Sequence, residues 1–144
     1  LSSLNLEKYL EWKDDPHLIE DVMRFLDNVL QDFIDKAPKS MSRAAYAAMR
    51  ERSVGLGVMG FHSFLQSQGV PFESVMAKVW NKKMFDHIRG QADAASKTLA
   101  AERGACPDAA DYGVDVAPRL TIVTTTEPPA RKAGDAHGPA ATGV

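Results

Sequence analysis

The sequence predicts a mainly α-helical fold, and three observations support this prediction. Apolar residues recur at steps of three and four along most of the chain before Gly104. Residues typical of helix starts and helix ends flank these stretches, namely Asp15-Pro16, Ser74, Gly69 and Gly104. After the first ten residues, no strand pattern alternates with the helical patterns, so we expect no doubly wound sheet.

The opening stretch, LSSLNLEKYL, differs from the rest of the chain. Its leucines and polar residues alternate without defining one clean face, which favours a short buried strand that runs into a turn or a helix. The chain does not begin with methionine, and its first residues lack the basic and apolar regions of a signal peptide. We therefore expect it to start partway through a larger protein.

Three helices are predicted in the first half of the chain. The first begins at Asp15-Pro16 and ends before Pro38, with the apolar stripe Ile19, Val22, Met23, Leu26, Val29, Leu30, Phe33 and Ile34. The second covers residues 42–52, SRAAYAAMRER. The third covers residues 58–68, VMGFHSFLQSQ, and Gly69 follows it as a C-terminal cap.

A fourth and longer helix is predicted from about Ser74 to Gly104. Gly90 lies inside it, where glycine costs about 1 kcal/mol relative to alanine. The apolar positions nevertheless keep helical spacing over the whole length, and they are Val75, Val79, Trp80, Met84, Ile88, Ala92, Ala95 and Leu99.

The composition of the chain changes near Gly113. Every Trp, Tyr and Phe lies at or before Tyr112, and Pro, Gly, Ala and Thr make up 17 of the 27 residues from Pro118 to Val144. Such a segment cannot bury enough apolar surface to offset the entropy of ordering it. We predict a disordered tail over residues 114–144, in which only residues 120–124 have the composition of a short strand.

Charge and cysteine content limit the classes of function. The formal net charge of −2 does not indicate binding of nucleic acid or of an anionic membrane. No run of about 18 apolar residues predicts a membrane-spanning helix. The single cysteine, Cys106, cannot form an internal disulfide, so the cytoplasm is the expected compartment. No histidine lies near Cys106 in a catalytic or metal-binding pattern, so we expect a structural thiol and no metal site.

Gly55, Gly57 and Gly60 form the pattern G-x-G-x-x-G within RSVGLGVMGFHSFL. A dinucleotide fingerprint requires a buried strand before the motif and an acidic residue about 20 residues after it. The preceding AAYAAMRERS is helical in pattern, and the nearest acidic residues, Glu73 and Asp86, do not fit. We therefore expect no dinucleotide site, and we interpret the glycines as allowing two helices to approach closely.

Four consecutive blocks of the sequence resemble a known enzyme family. The blocks are LSSLNLEKYLEW, FLDNVLQDFID, RERSVGLGVMGFHSFLQSQGVPFES and ADAASKTLAAERGACPDAADYG. In this order and spacing they resemble the large, catalytic subunit of ribonucleotide reductase, of the aerobic type that works with a metal-containing radical subunit. The resemblance covers about residues 1–113. Within it, Arg52, Gly55, Gly57 and Gly60 match a family motif with a structural role.

The resemblance implies a fold and an activity for the intact parent protein. The fold is a ten-stranded α/β barrel with helices outside, of which this chain supplies a helical fragment. The activity replaces the ribose 2′-hydroxyl of a ribonucleotide with hydrogen for DNA synthesis; a thiyl radical starts it and two cysteines supply the electrons. One cysteine of that pair corresponds to the position two residues before Leu1. The resemblance thus places Leu1 and Ser2 beside the substrate, with ordinary strand residues as the alternative.

The same resemblance places the catalytic residues, partners and effectors outside this chain. It implies a small subunit with a radical-generating metal centre, the rest of the large subunit, and ATP or deoxynucleotide effectors. We expect no catalytic residue and no cofactor within the chain, and diphosphates as the parent's substrates. Residues 114–144 do not resemble the family, which either a shifted or joined reading frame or an unrelated extension explains. Two hypotheses stay open: an inactive fragment of the large subunit, or a small non-catalytic helical interaction module.

Overall fold

The computed structural model describes residues 1–113 and 118–123, and these residues are mainly helical, as predicted. The strands are β1 (Ser2–Asn5), β2 (Ser53–Met59) and β3 (Thr121–Val123). The helices are α1 (Tyr9–Trp12), α2 (Leu18–Lys36), α3 (Ser42–Glu51), α4 (Phe61–Ser67), α5 (Val75–Arg103) and α6 (Pro107–Asp111). Short 3₁₀ turns occupy Leu6–Lys8 and Lys39–Met41.

The strand and the turn predicted for residues 1–10 are confirmed. Strand β1 runs through a 3₁₀ turn into α1, and Leu4, Leu6 and Tyr9 are buried. The turn is held by Asn5, whose side-chain Oδ1 accepts a hydrogen bond from the backbone N–H of Glu7 at 3.0 Å. The apolar residues of this stretch are thus buried along the strand, the turn and the helix. The polar Asn5 at the end of the strand caps the turn.

The long helices begin and end near the predicted residues. Helix α2 begins at Leu18, three residues after Asp15, whose side chain accepts from the backbone N–H of His17 at 2.9 Å. Helix α5 begins after Ser74, whose hydroxyl oxygen accepts from the N–H of Ala77 at 3.1 Å. It ends at Arg103 and is capped by Gly104, where φ is +87°. Local capping chemistry therefore sets the ends of α5.

A parallel three-stranded sheet is the main departure from the predicted fold. Its strand order is β1-β2-β3, so β2 is central. Ser2 pairs with Leu56 and Leu4 with Val58, while Val54 pairs with Ile122. Helices connect each strand to the next, which is the usual connection between parallel strands. The prediction that strands and helices would not alternate is therefore wrong.

The predicted third helix and its glycine junction are also wrong in part. Residues 53–59 form β2, and the helix begins only at Phe61. Gly55 and Gly57 therefore lie inside a strand and not between two helices. Val54 and Leu56 alternate with these glycines and are buried, which is the period of a strand. Because the other face carries no side chain at either glycine, the alternation was difficult to recognise.

Residues 118–123 depart from the expected disordered tail. Strand β3 lies within the stretch where a short strand was considered, and it pairs with β2. Leu120, just before it, is only 1% exposed. The backbone N–H of Leu120 donates to Ser96 Oγ at 3.0 Å, and the Ser96 hydroxyl donates to the Leu120 carbonyl at 3.1 Å. Residues 118–123 thus pack against α5, whereas residues 114–117 and 124–144 lie outside the described residues.

One apolar core joins the sheet to the helices. It lies on the face of the sheet that carries Leu4, Val54 and Leu56. Helices α2, α4 and α5 pack against this face, and their largest buried apolar side chains are Ile19, Met23, Phe64, Leu65, Met84, Ile88 and Leu99. The core thus fixes which face of the sheet the helices cover.

Substitution of Gly60 tests the turn that joins β2 to α4. Gly60 has φ +78°, and a Cβ there would lie 2.6 Å from Asn5 Oδ1 and 3.1 Å from the Glu7 nitrogen. We expect Gly60→Ala to lower the free energy of unfolding by about 1–3 kcal/mol, because the left-handed backbone and the contact are both unfavourable for alanine.

Urea unfolding followed by circular dichroism measures this effect, and Gly90→Ala is the matched control. Gly90 lies inside α5, and a Cβ added there would meet no atom within 4 Å. Alanine at this position should therefore raise the free energy of unfolding by about 0.5–1 kcal/mol. Equal stabilities for the two variants would contradict the described turn.

Candidate functional site

Among residues 1–113 and 118–123, the core occupies only one face of the sheet, and the other face is not covered by it. Side chains alternate between the faces of a strand, so residues on the side opposite Leu4 and Leu56 share this second face. Ser3 and Ser53 are exposed on it, and Met59 is 56% exposed. We call this surface the open face; it consists of Leu1, Ser3, Asn5, Ser53, Gly55, Gly57 and Met59.

Two glycines make the middle of the open face flat. Gly55 and Gly57 belong to the central strand β2, and neither presents a side chain on this face. Ser3 of β1 lies opposite Gly57 in the parallel register. A ligand or another chain segment can therefore approach the backbone of β2 closely at Gly57, which is a common reason for glycine inside a strand.

The structure brings Leu1 and Gly55 together. The register of β1 with β2 pairs Ser2 with Leu56, so Leu1 precedes that pair opposite Gly55. A Cβ added to Gly55 would lie 2.5 Å from Leu1 Cδ2. The Leu1 side chain therefore lies over Gly55 on the open face. Ser2 alternates with Leu1 and shares the face of Leu4, against the helices.

The sequence resemblance predicted that Leu1 and Ser2 both lie beside a substrate, and the structure places them on opposite faces of the sheet. Leu1 lies on the surface that a ligand can reach, and Ser2 lies on the face that the core occupies. The role of both residues beside a substrate stays a prediction.

Gly60 has a different role from the two strand glycines. Its carbonyl accepts a hydrogen bond from the N–H of Phe64 at 2.9 Å and so begins α4. This turn lies beside Asn5, at the ends of β1 and β2. In a dinucleotide fingerprint the glycines lie on the turn after the strand, whereas Gly55 and Gly57 lie within it. The absence of a dinucleotide site therefore stays our expectation, although a strand does precede Gly60.

Arg52 directs the chain from α3 into β2 and is itself buried. Its φ of +46° ends α3, and its side chain turns inward with 4% exposure. The guanidinium donates from Nη2 to Asp27 Oδ1 at 2.5 Å and from Nη1 to Gln31 Oε1 at 2.9 Å. Arg52 therefore ties the start of β2 to α2.

Two more arginines reach the same carboxylate. Arg119 Nε donates to Asp27 Oδ2 at 2.8 Å, and Arg103 Nη1 donates to the same oxygen at 2.7 Å. Arg119 also donates from Nη1 to the carbonyls of Arg103 and Gly104. We call Asp27, Arg52, Arg103 and Arg119 the Asp27 cluster; it joins α2, the end of α5 and the starts of β2 and β3.

Asp27 is fully buried, and its charge is stabilised by its partners. Burial raises the pKa of its carboxyl group, but hydrogen bonds from Arg119, Arg52 and Arg103 outweigh that effect and lower the pKa below its ordinary value. Three guanidinium groups thus share one carboxylate that stays ionised at neutral pH. A carboxylate with this environment is a structural anchor and not a proton donor.

The sequence patterns did not indicate the Asp27 cluster, apart from Arg52. One signal was present: Asp27 lies four residues after Met23, on the buried stripe of α2. A carboxylate on such a stripe requires a buried cation. The identity of the cations could not be read, because Arg103 and Arg119 are 76 and 92 residues away in the chain.

Acidification tests the Asp27 cluster. Because the folded-state pKa of Asp27 lies below the unfolded value of about 3.8, its ionisation stabilises the fold above pH 3.8. This contribution is lost as the pH falls through the folded-state pKa. We expect the free energy of unfolding to decline below about pH 4, and to decline less steeply in Asp27→Asn.

Urea unfolding measured between pH 7 and pH 2 gives this dependence. Glu102 also has a lowered pKa, caused by its hydrogen bond with Arg24, so Glu102→Gln is the matched control for a more exposed pair. Identical pH profiles for Asp27→Asn and the unsubstituted chain would contradict the assignment.

Cys106 is buried among backbone carbonyl groups, which is consistent with a structural thiol. Cys106 is 1% exposed, and its thiol donates to the carbonyls of Arg50 at 3.3 Å and Glu51 at 3.4 Å. Within residues 1–113 and 118–123, no group of three or more His, Cys, Asp or Glu side chains could hold a metal ion. In the same ranges, no helix combines the length and apolar character needed to cross a membrane.

Comparison with known proteins shows one consistent family. The model of the ribonucleotide reductase barrel domain matches residues 1–117. The ribonucleoside-diphosphate reductase large subunit of Invertebrate iridescent virus 6 is 50% identical over 113 residues, which is 78% of this chain and 12% of that protein. The putative large subunit of Frog virus 3 is 42% identical over 125 residues, which is 85% of this chain and 22% of that protein.

A solved structure gives the same result. The class Id ribonucleotide reductase alpha subunit of Actinobacillus ureae superimposes with a TM-score of 0.74 at 35% identity. The superposition covers 82% of this chain and 22% of that subunit. The chain therefore spans about a fifth or less of the length of the two viral relatives and a similar share of this subunit.

Proposed function

Because this chain belongs to the ribonucleotide reductase barrel-domain family, we propose that it is a segment of the large, catalytic subunit of a ribonucleoside-diphosphate reductase. The observation that carries the proposal is the continuous match of the barrel-domain model to residues 1–117. The parallel sheet with helices on one face is consistent with it, because a barrel wall has one side toward the helices and one toward the interior.

The intact parent reduces a ribonucleotide to a deoxyribonucleotide. The 2′-hydroxyl leaves as water and is replaced by hydrogen, while two cysteine thiols are oxidised to a disulfide. A thiyl radical starts the reaction. This chain contains one cysteine, which cannot supply two electrons as an internal disulfide. We therefore propose that the chain alone is inactive and contributes a wall of the substrate site.

The open face is the surface we assign to that wall. In the family, one cysteine of the redox pair precedes the position of Leu1 by two residues. Residues two apart on a strand share a face, so such a cysteine would follow the same face as Leu1, Ser3 and Gly57. Gly57, which carries no side chain, leaves room on this face for a ligand against β2.

Partners and effectors complete the proposal. The parent works in the cytoplasm with the rest of the large subunit and with a small subunit that carries a radical-generating metal centre. ATP and deoxynucleotides regulate it at sites outside this chain. The resemblance to the family assigns the metal centre to the small subunit, and the described residues of this chain contain no group of three or more His, Cys, Asp or Glu side chains that could hold a metal ion.

The coding DNA on both sides of this segment gives a first test. The upstream sequence should encode a cysteine two residues before Leu1, in frame with this chain. The full-length subunit, combined with its small subunit, should then reduce a ribonucleoside diphosphate, whereas the 144-residue chain should not. An independent start codon with unrelated upstream sequence would contradict the proposal, and so would turnover by the isolated chain.

The alternative is a non-catalytic helical interaction module. It is favoured by apolar side chains that are exposed at the start of α5, where Val75 is 76% and Val79 is 50% exposed. Copurification of the chain with intact large and small subunits tests this function. Absence of association at micromolar concentrations would exclude it.

A further inference from the structure

We propose that Gly55 is a positioning residue for Leu1: by lacking a side chain, it lets the exposed Leu1 side chain lie over Gly55 on the open face and so sets the width of the substrate site. The inference rests on the proposed function, because that function makes the open face a wall of the site. It adds a role for Gly55 beyond close packing of backbone.

The contact between the two residues is direct. Leu1 lies opposite Gly55 in the parallel register, one position before the pair Ser2 and Leu56. An added Cβ at Gly55 would meet Leu1 Cδ2 at 2.5 Å, Leu1 Cγ at 3.8 Å and Leu1 Cα at 3.9 Å. Real Cβ atoms do not approach other carbon atoms as closely as 2.5 Å, so the methyl end of Leu1 occupies the space that any side chain at position 55 needs.

The backbone at Gly55 does not itself require glycine. Gly60 has a positive φ, but Gly55 is not among the glycines that do. Position 55 lies in regular β2, where alanine can adopt the same conformation. The space taken by Leu1 is therefore the described feature that disfavours a larger residue there.

Alanine at position 55 should move Leu1 and leave the sheet in place. The atom within 3 Å is the end of a flexible side chain, and the backbone atom Leu1 Cα is at ordinary contact distance. Rotation of the Leu1 side chain away from β2 relieves the contact. The displaced side chain then projects from the open face on the side of β1, next to the space above Gly57 that a ligand against the sheet would use.

The test uses the full-length large subunit that carries this segment, with its small subunit. Gly55→Ala, Leu1→Ala and the double substitution are compared with the unsubstituted enzyme. Equilibrium dialysis with labelled CDP gives substrate affinity without turnover, and steady-state assays give KM and kcat. Gly90→Ala is the control, because Gly90 is exposed in α5 with nothing within 4 Å of an added Cβ.

We expect Gly55→Ala to raise both the CDP dissociation constant and KM about tenfold, the effect of about one methylene group in an apolar pocket. The melting temperature should stay unchanged within error, and so should kcat. In the Leu1→Ala background the same substitution should have no further effect, because the methyl group it displaces is absent. This non-additivity distinguishes positioning of Leu1 from a general disturbance of β2.

Two results would overturn the inference. Unchanged CDP affinity in Gly55→Ala would show that the contact between position 55 and Leu1 does not affect substrate binding. Additive losses in the double variant would show that Gly55 acts independently of Leu1. An unsubstituted enzyme that neither binds nor reduces CDP would instead overturn the proposed function, and this inference with it.

Discussion

Replacing Asp27 with alanine is expected to lower the free energy of unfolding by about 3–5 kcal/mol, the usual result of removing one partner from a buried ion pair. The substitution leaves Arg52 and Arg119, which are 4% and 9% exposed, without their shared carboxylate. It also removes one link between α2, the end of α5 and the starts of β2 and β3, which meet at this side chain. The loss is large relative to the roughly 5–15 kcal/mol that stabilises a typical domain.

Urea unfolding of the chain measures this loss, with Asp86→Ala as the matched control. Asp86 also forms a pair, with Lys82 on the surface of α5, and both side chains are largely exposed. Surface pairs contribute little to stability, so the control should unfold close to the unsubstituted chain. Equal midpoints for the Asp27 and Asp86 variants would show that the Asp27 cluster does not anchor the fold.

Deleting residues 118–144 is expected to destabilise the chain by about 3–6 kcal/mol. The deletion removes Leu120, which is 1% exposed, and burial of a leucine contributes about 1.5–3 kcal/mol. It also removes the hydrogen bonds of Arg119 to Asp27, and a hydrogen bond to a charged group contributes about 1.5–3 kcal/mol. Strand β3 is lost with them, which leaves β2 at an edge of the described sheet.

A shorter deletion of residues 124–144 is the control, because it retains every contact described above. The difference in unfolding free energy between the two truncated chains isolates the contribution of residues 118–123. If both chains unfold at the same urea concentration, this segment does not pack as described, and residues 118–123 behave as part of the disordered tail predicted over residues 114–144.

The helices were predictable because their signals are local. Ser74 and Gly104 mark the ends of α5 through capping and a positive φ, which depend on a few neighbouring residues. The helical spacing of apolar residues between Ser74 and Gly104 can be recognised without knowing which elements pack against α5. The same holds for α2, although its first residue differs from the expected one because Asp15 caps a turn that precedes the helix.

Strand β2 was not predictable in the same way. A strand is recognised by alternation of side chains, and Gly55 and Gly57 remove the side chains from one face. The local sequence is then typical of a junction between two helices. The strand is recognised only from its pairing with β1 and β3. The stability of β2 comes from partners far away in the chain, which local propensity does not contain.

The residues of the candidate site also differ in whether a local sequence signal indicated them. Leu1 and the motif glycines were indicated by resemblance, but their meeting on one surface depends on the register of β1 with β2. Asp27 carried a weak local signal, as a carboxylate on an apolar stripe. Arg119 carried none, because it lies in a stretch whose composition resembles a disordered segment and its partner is 92 residues away.

The long separation between paired strands affects how the chain is made. Ser2 pairs with Leu56, and Val54 pairs with Ile122, so each strand must await a partner that is synthesised much later. At the usual rate of about 5–20 residues per second, β1 waits roughly 3–11 s for β2 to be translated. During that interval the N–H and C=O groups of β1 that later pair with β2 lack this partner and can pair with other chains. A chaperone that binds β1 at the ribosome in this interval would therefore reduce pairing between nascent chains.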